Sequence, residues 1–326
     1  MPLTPRRTAL AVVAAASLLS PVAAHAHAGH DHHPPAPKPP RTLASYPKPT
    51  VTGKQIADGL DSFATTFAHR VTGTPIQTNA TSALVAELKG MGYSVEVRPY
   101  KTVLQAIVAT KKGTTKPSEI IAFGAHFDQV PQTLSGTYDN GSGTRMVVSL
   151  AKAYAKVPTR RTLQFMLFNG EEEGALASSE LAADYKARKI NIKAYLGFDM
   201  VGLAWPVKTR TATSCLCMWR GAKDTDFDKL LADVNFKFLK FPEGKQLVSV
   251  EGRNVRNSDE ASFADAGWPT LRWAGLRTAA AYPEYHMPND NMATIDSVAG
   301  GRSYFEAGLY NTLLSAYYTA AALDLK

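Results

Sequence analysis

Three short apolar runs constrain this chain more than any other feature. Leu163 to Phe168 is apolar at every position but Gln164, and Ile120 to Gly124 and Ala194 to Phe198 are of the same kind. A strand that is apolar on both faces must be covered on both, which is the situation of a central strand in a largely parallel sheet. Helical spacing fills the gaps between the runs. Met146, Val147, Leu150 and Tyr154 lie in the first gap, and a helix from Leu176 to about Lys189 lies in the second. Strand, helix, strand, helix, strand predicts an α/β fold, with a mostly parallel, mixed central sheet and helices on both faces.

The flanks extend this pattern. Ile56, Leu60, Phe63 and Phe67 fall at helical spacing, and a second helix carries Leu84, Val85 and Leu88 inward before Gly90 and Gly92 stop it. Tyr93 to Arg98 alternates as a strand with Tyr93, Val95 and Val97 on one face, and Val103 to Thr110 is another. Residues 205–257 are irregular apart from a helix near Asp224 to Val234. A capped helix at Ser258 to Asp265, a strand at Pro269 to Ala274 and one long helix from about Ser297 to Leu323 complete the chain. The folded part is expected to start near Thr50, as a single globular domain over 50–326.

The residues before Thr50 are of another kind. Arg6 and Arg7 stand before an apolar run from Ala9 to Leu19, and an Ala-x-Ala site comes after it at Ala24-His25-Ala26. That is the layout of a secretory signal peptide over 1–26, and the arginine pair permits the twin-arginine route. The expectation is an exported protein, periplasmic or secreted. The leader is too short to span a bilayer and no later stretch is long enough, so no stable membrane insertion is expected. Residues 27–49 are rich in His and Pro and read as a disordered linker. Capture of metal by His25, His27, His30, His32 and His33 is the functional alternative, and composition favours the linker. The formal charge of +8 is spread over scattered lysines without a basic patch interleaved with aromatics, which argues against nucleic-acid binding. Cys215 and Cys217 are too close for an unstrained bridge and too few for a structural zinc site, so they read as free thiols.

The apolar runs end on polar groups of one chemical type. His126 closes the first, with Asp128 two residues on. Glu171 and Glu172 come just after the second, and Asp199 closes the third. Asp139 stands at a helix start and His286 in a late loop. Open parallel sheets carry their functional groups beyond the carboxyl ends of the strands. One acid near a helix start is ordinarily a cap. Imidazole and carboxylate groups from five such places in the chain, gathered at one sheet edge, read instead as a metal centre, since these donors suit zinc and a carboxylate can bridge two ions. Asp128 is placed to fix the tautomer of His126.

The motifs, in order, are Gly-Ala-His126-Phe-Asp128, Asp139-Asn140-Gly-Ser-Gly, Gly170-Glu171-Glu172, Phe198-Asp199-Met200-Val-Gly, Ser258-Asp259 with Phe263, and Tyr285-His286-Met-Pro-Asn-Asp290. With these the chain resembles the M28 zinc metallopeptidases over roughly Arg70 to Asp296. The resemblance implies two zinc ions per chain. His126 and Asp199 would hold one, Glu172 and His286 the other, and Asp139 would bridge them through a residue whose next peptide bond is cis. It also implies Glu171 as general base, with Tyr285 as a candidate donor to the oxyanion and Glu173 facing solvent. Gly197 stands where the family often has Asn, and Met287 and Asn291 replace common threonines, departures that bear on substrate detail.

The function so implied is an exported dizinc aminopeptidase acting on peptide substrates. A carboxypeptidase or dipeptidase of the same family is an alternative, with Arg220, Arg253 or Arg256 clamping a carboxylate. A glutaminyl cyclase-like transferase and a catalytically inert binding module are further ones.

Overall fold

A computed structural model of the protein describes residues 38–203, 216–220, 224–241, 247–251, 258–275 and 282–326. The expected leader over 1–26, the histidines of residues 25–33, Cys215, the side chain of Cys217, Arg253 and Arg256 lie outside the described residues.

The strands are β1 (Ser94–Pro99), β2 (Gln105–Lys111), β3 (Lys116–His126), β4 (Arg161–Phe168), β5 (Asn191–Asp199), β6 (Leu216–Arg220), β7 (Leu247–Glu251) and β8 (Thr270–Ala274). They form one sheet in the order β1-β2-β4-β3-β5-β8-β6-β7. The centre, β4-β3-β5-β8, is parallel. Antiparallel β1 and β2 flank it on one side. On the other, β6 runs antiparallel to β8 and parallel to β7. The sheet is therefore mixed but mostly parallel, as expected.

The helices are α1 (Gly53–Thr66), α2 (Pro75–Gly90), α3 (Ser142–Tyr154), α4 (Leu176–Ala187), α5 (Asp226–Leu231), α6 (Asp259–Ala266), α7 (Met292–Ala299) and α8 (Arg302–Leu325). Local chemistry sets where several begin. Thr52 and Gln55 form a reciprocal cap on α1, while Thr74 caps α2 ahead of a proline at its first position. The period-two alternation of the strands divides the core between two layers. Ile121, Phe123 and Ala125 of β3 join Phe165 and Leu167 of β4 in the larger layer, with α1, α2, α3 and α8. Ile120, Ala122, Met166 and Phe168 face the opposite way, under α4 and Phe263 of α6. Phe123 and Phe165 stack at 4.8 Å between neighbouring strands, so truncating either to Ala should cost about 3–5 kcal/mol.

Four expectations need correction. The last helix is two, because Gly300 and Gly301 take positive φ values of 85° and 132° and end α7 before α8 begins. Packing starts before Thr50: a short helical turn at Leu43–Ser45 precedes Tyr46, which is buried and donates its hydroxyl to Asp324 Oδ2 at 2.6 Å. The 205–257 stretch, irregular in sequence, supplies the short strands β6 and β7. Ser258 occupies the cap position of α6, but its side chain makes no capping bond. Val97, on the edge strand, is 40% exposed and adds little to the core. No helix among the described residues is long and apolar enough to cross a membrane.

The parallel centre of the sheet is the part that builds the site. Its register pairs His126 with Phe168, Gly124 with Gly197 and Asp199 with Ala274, so the carboxyl ends of β3, β4 and β5 open on the same edge.

Candidate metal centre

His126 is the last residue of β3 and is fully enclosed. Its Nδ1 lies 3.4 Å from Asp128 Oδ1. The other Asp128 oxygen accepts from the Thr72 hydroxyl at 3.1 Å and from the Glu172 backbone N–H at 3.3 Å. One buried carboxylate thus ties the imidazole to the turn that carries both glutamates. That turn leaves β4 through Asn169, whose side-chain amide donates to Val103 O, and through Gly170 at φ 73°. Glu173 points to solvent.

The six side chains singled out as metal ligands or base meet in one place. His126 Nε2 is 3.5 Å from Asp139 Oδ1, 3.7 Å from Asp199 Oδ1 and 3.8 Å from Glu171 Oε2. His286 Nε2 is 3.1 Å from Asp139 Oδ2 and 3.3 Å from Glu172 Oε2. Asp139 therefore turns one oxygen to each imidazole. The donors form two triads that share it, His126–Asp139–Asp199 and Asp139–Glu172–His286, each with ligand atoms within 4.8 Å of one another. Imidazole nitrogen with carboxylate oxygen is a donor set that suits a divalent ion such as zinc. Glu172 Oε1, buried and without a hydrogen-bond partner among the described residues, is a further mark of a site built for a cation.

Residues given no role from sequence hold this arrangement. Asn140 comes after Asp139 across a cis peptide bond, the geometry the resemblance implies. Its amide donates to Phe198 O at 2.9 Å and accepts from Met200 N–H at 3.1 Å, the two residues on either side of Asp199. Gly143 has to be glycine, since a Cβ there would run into Asn140 Oδ1 and Phe198 O. Asp290 is fully buried and accepts the backbone N–H of Tyr138 at 2.8 Å and of Asp139 at 2.9 Å. Arg70, also fully buried, donates to Phe127 O, Gln129 Oε1, Ser135 O and Gly136 O and so clamps the loop between His126 and Asp139. Arg272 Nη1 reaches Glu260 Oε1 at 3.1 Å and Asp199 Oδ2 at 3.5 Å, alongside Gly197 in the register of β5 and β8. The last two could be found only from the fold, because an Arg in a turn or a strand reads as a surface cation.

The electrostatics are those of too many acids in too little space. Burial and the charge of Asp139 push Glu172 up to about 7. Burial, opposed by His126 but reinforced by Asp199, Asp259 and Glu172, holds Glu171 well above the carboxylate range. Burial disfavours charge on His126, yet Glu171, Asp128 and Asp199 together keep the imidazole well above its ordinary value. Hydrogen bonding to Asp139 and Glu172 raises His286 to about 10. These shifts are one condition seen from two sides: negative charge exceeds what the protein's own cations balance, and protons make up the difference.

Three non-glycine residues with left-handed backbone, Ala175, Met200 and His286, line the same cleft of about 550 Å³. Such conformations cost of order 1–3 kcal/mol each and gather at functional sites. Tyr285 also lines it, half-buried, its ring stacked on His286 with centroids 3.9 Å apart. Arg220, a candidate carboxylate clamp, is instead held by Asp228 through two bonds of 2.7 Å. His69 is exposed just past the end of α1.

Against known proteins, the model of peptidase family M28 matches residues 106–304. Aminopeptidase YwaD of Bacillus subtilis is 28% identical over 201 residues, 59% of this chain. The chain covers only 40% of that relative's length. The structure of the Legionella pneumophila LapA aminopeptidase superposes with a TM-score of 0.69 at 19% identity, covering 87% of this chain and 74% of that one. Porphyromonas gingivalis glutaminyl cyclase superposes at 0.66 and 16% identity, covering 82% and 99%. Both structural likenesses concern the fold.

Proposed function

Since this chain belongs to peptidase family M28, we propose that it is a two-zinc aminopeptidase that releases residues from the amino end of peptides. The observation that carries the reading is the division of Asp139, one oxygen toward His126 and the other toward His286. His126 and Asp199 would hold one ion and Glu172 and His286 the other, with Asp139 common to both. The name borne by the Bacillus relative supports the amino-terminal direction.

Zinc ions held there would polarise the scissile carbonyl and acidify the attacking water. The remaining roles fall to the chain. Asp128 holds the His126 ring so that Nε2 faces the cleft. Glu171 takes a proton from the water as its oxygen bonds to the carbonyl carbon, and gives that proton to the amine as the C–N bond breaks. Tyr285, at the cleft wall, donates its hydroxyl to the carbonyl oxygen as charge develops on it. The leader over 1–26 and the His/Pro-rich stretch after it complete the reading as an exported, periplasmic or secreted enzyme with one catalytic domain.

The test is digestion by the zinc-loaded mature protein of amino-acid arylamides, free peptides and amino-blocked peptides, with metal content measured alongside. Release from free amino ends at two ions per chain is expected. Trimming of blocked peptides from the carboxyl end would replace the reading with a carboxypeptidase. One ion per chain with cyclisation of amino-terminal glutamine would replace it with a cyclase. Loaded protein that cleaves nothing in a broad peptide library would be a binding module. Export is tested by cell fractionation of the full chain, and retention inside the cell would overturn it.

A further inference from the structure

A carboxylate shared by two ions has to be aimed twice, and the bonds around Asp139 separate into two sets. On its amino side three successive backbone N–H groups lead to the loop that carries His286. Thr137 N–H donates to Asp290 O at 3.2 Å, Tyr138 N–H to Asp290 Oδ1 at 2.8 Å and Asp139 N–H to Asp290 Oδ2 at 2.9 Å. The Tyr282 hydroxyl donates to the same Oδ1 at 2.8 Å, fixing the Asp290 carboxylate from behind. On its carboxyl side the side chains of Asn140 and Thr144 lead to the strand ends that carry His126 and Asp199. Asn140 spans Phe198 O and Met200 N–H, and the Thr144 hydroxyl lies 2.8 Å from His126 O and 2.9 Å from Asn140 O. Asn140 and Asp290 are both fully buried and neither belongs to either triad of candidate ligands.

We infer that Asn140 and Asp290 are positioning residues with separate targets. Asn140 registers the shared carboxylate to the His126–Asp199 site, and Asp290 registers it to the Glu172–His286 site. A single scaffold holding one rigid loop would make the two sites respond together. Two sets of bonds with different targets, one from the Asp290 carboxylate and one from the Asn140 amide, make them separable. Because the groups that orient a ligand commonly govern about 10- to 100-fold in ion affinity, each residue should act on one site by that amount and leave the other nearly unchanged. The inference rests on the two-ion reading.

The experiment isolates each site in the otherwise complete protein. His286→Ala leaves only the His126–Asp199 site, and Asp199→Asn leaves only the Glu172–His286 site. Zinc affinity is read by competition with a chromophoric chelator. Asn140→Ala is expected to weaken zinc by about 10-fold or more in the first background and by less than about 3-fold in the second. Asp290→Asn is expected to do the reverse. Equal losses in both backgrounds, or no loss in either, overturn the inference. Melting of the metal-free variants establishes that they fold. Should either fail, Tyr282→Phe and Thr144→Val serve in its place. Each removes one hydroxyl of its set and keeps the backbone, and an effect confined to the corresponding site supports the inference while an effect shared by both overturns it. Wild-type chain that takes up fewer than two ions defeats the two-ion reading and the inference with it. Two ions with inseparable sites defeat the inference alone.

Discussion

Buried charge gathers at both ends of the sheet, on opposite plans. At the amino ends of β3 and β4, Arg161 donates to Glu119 at 2.6 Å and to the carbonyls of Leu323 and Asp324. The Asp324 carboxylate accepts from Arg160 N–H, Arg161 N–H and the Tyr46 hydroxyl at 2.6–2.9 Å. Every charge there meets its opposite or a backbone dipole. At the carboxyl ends, Asp139, Glu171, Glu172 and Asp199 crowd around two imidazoles, and the balance is left to protons or bound cations. The first cluster is closed by the chain itself and should serve stability. The second is open and should serve function at stability's expense.

The sharpest way to separate the two is Glu171→Gln. Turnover should fall by about 10³-fold with both ions retained, while the metal-free protein melts no lower, since an amide relieves the repulsion among neighbouring acids. Equal turnover would remove Glu171 from its role. Next in size is zinc itself. Loading at about 1,000 times the dissociation constant should add about 4 kcal/mol to unfolding stability, read from denaturant melts with and without chelator, and identical melts would mean that the open cluster holds no ion. Asp324→Ala attacks the closed cluster. Three donors, two of them in buried bonds, lose their acceptor, so stability should drop by about 3 kcal/mol, while kcat/KM of the folded fraction stays as it was.

Tyr285→Phe should lower kcat by about 100-fold with little change in KM, and a change in KM alone would make the ring a wall rather than a donor. A last effect is on pH. Ions compete with the protons on His286, held to about 10, and on Glu172, held to about 7. Zinc affinity should therefore weaken as pH is lowered from 8 to 6, by about tenfold per unit for each proton displaced. Calorimetry in buffers of different ionisation heat counts those protons. A flat profile would mean that the cluster is not charged as described.

Much of the fold and of the site is legible in the sequence, for a physical reason. The central strands are apolar on both faces, and the candidate ligands sit where those runs stop, so position in the pattern and position in the site coincide. Asp290 is visible in its motif but without a task, because nothing near His286 in sequence says that its carboxylate reaches back to Tyr138 and Asp139. Arg70 is hidden altogether. It stands in a polar turn, and the carbonyls that enclose it come from residues 57 to 66 positions later. Helix periodicity runs on through 297–323 because Gly300 and Gly301 leave the apolar spacing intact while turning the backbone. β6 and β7 escape notice because short strands toward the margin of a sheet need neighbours, not a pattern, to exist.

The contact between Tyr46 and Asp324 has a practical consequence. It brings the beginning of the packed chain to its end, and a second bond from the Tyr317 hydroxyl to Pro47 O at 2.9 Å reinforces the junction. Both lie at the amino edge of the sheet, while the cleft opens at the carboxyl edge. The molecule thus has a handle on the side away from its mouth. A surface gripping the protein at that junction would hold it on the side away from the cleft.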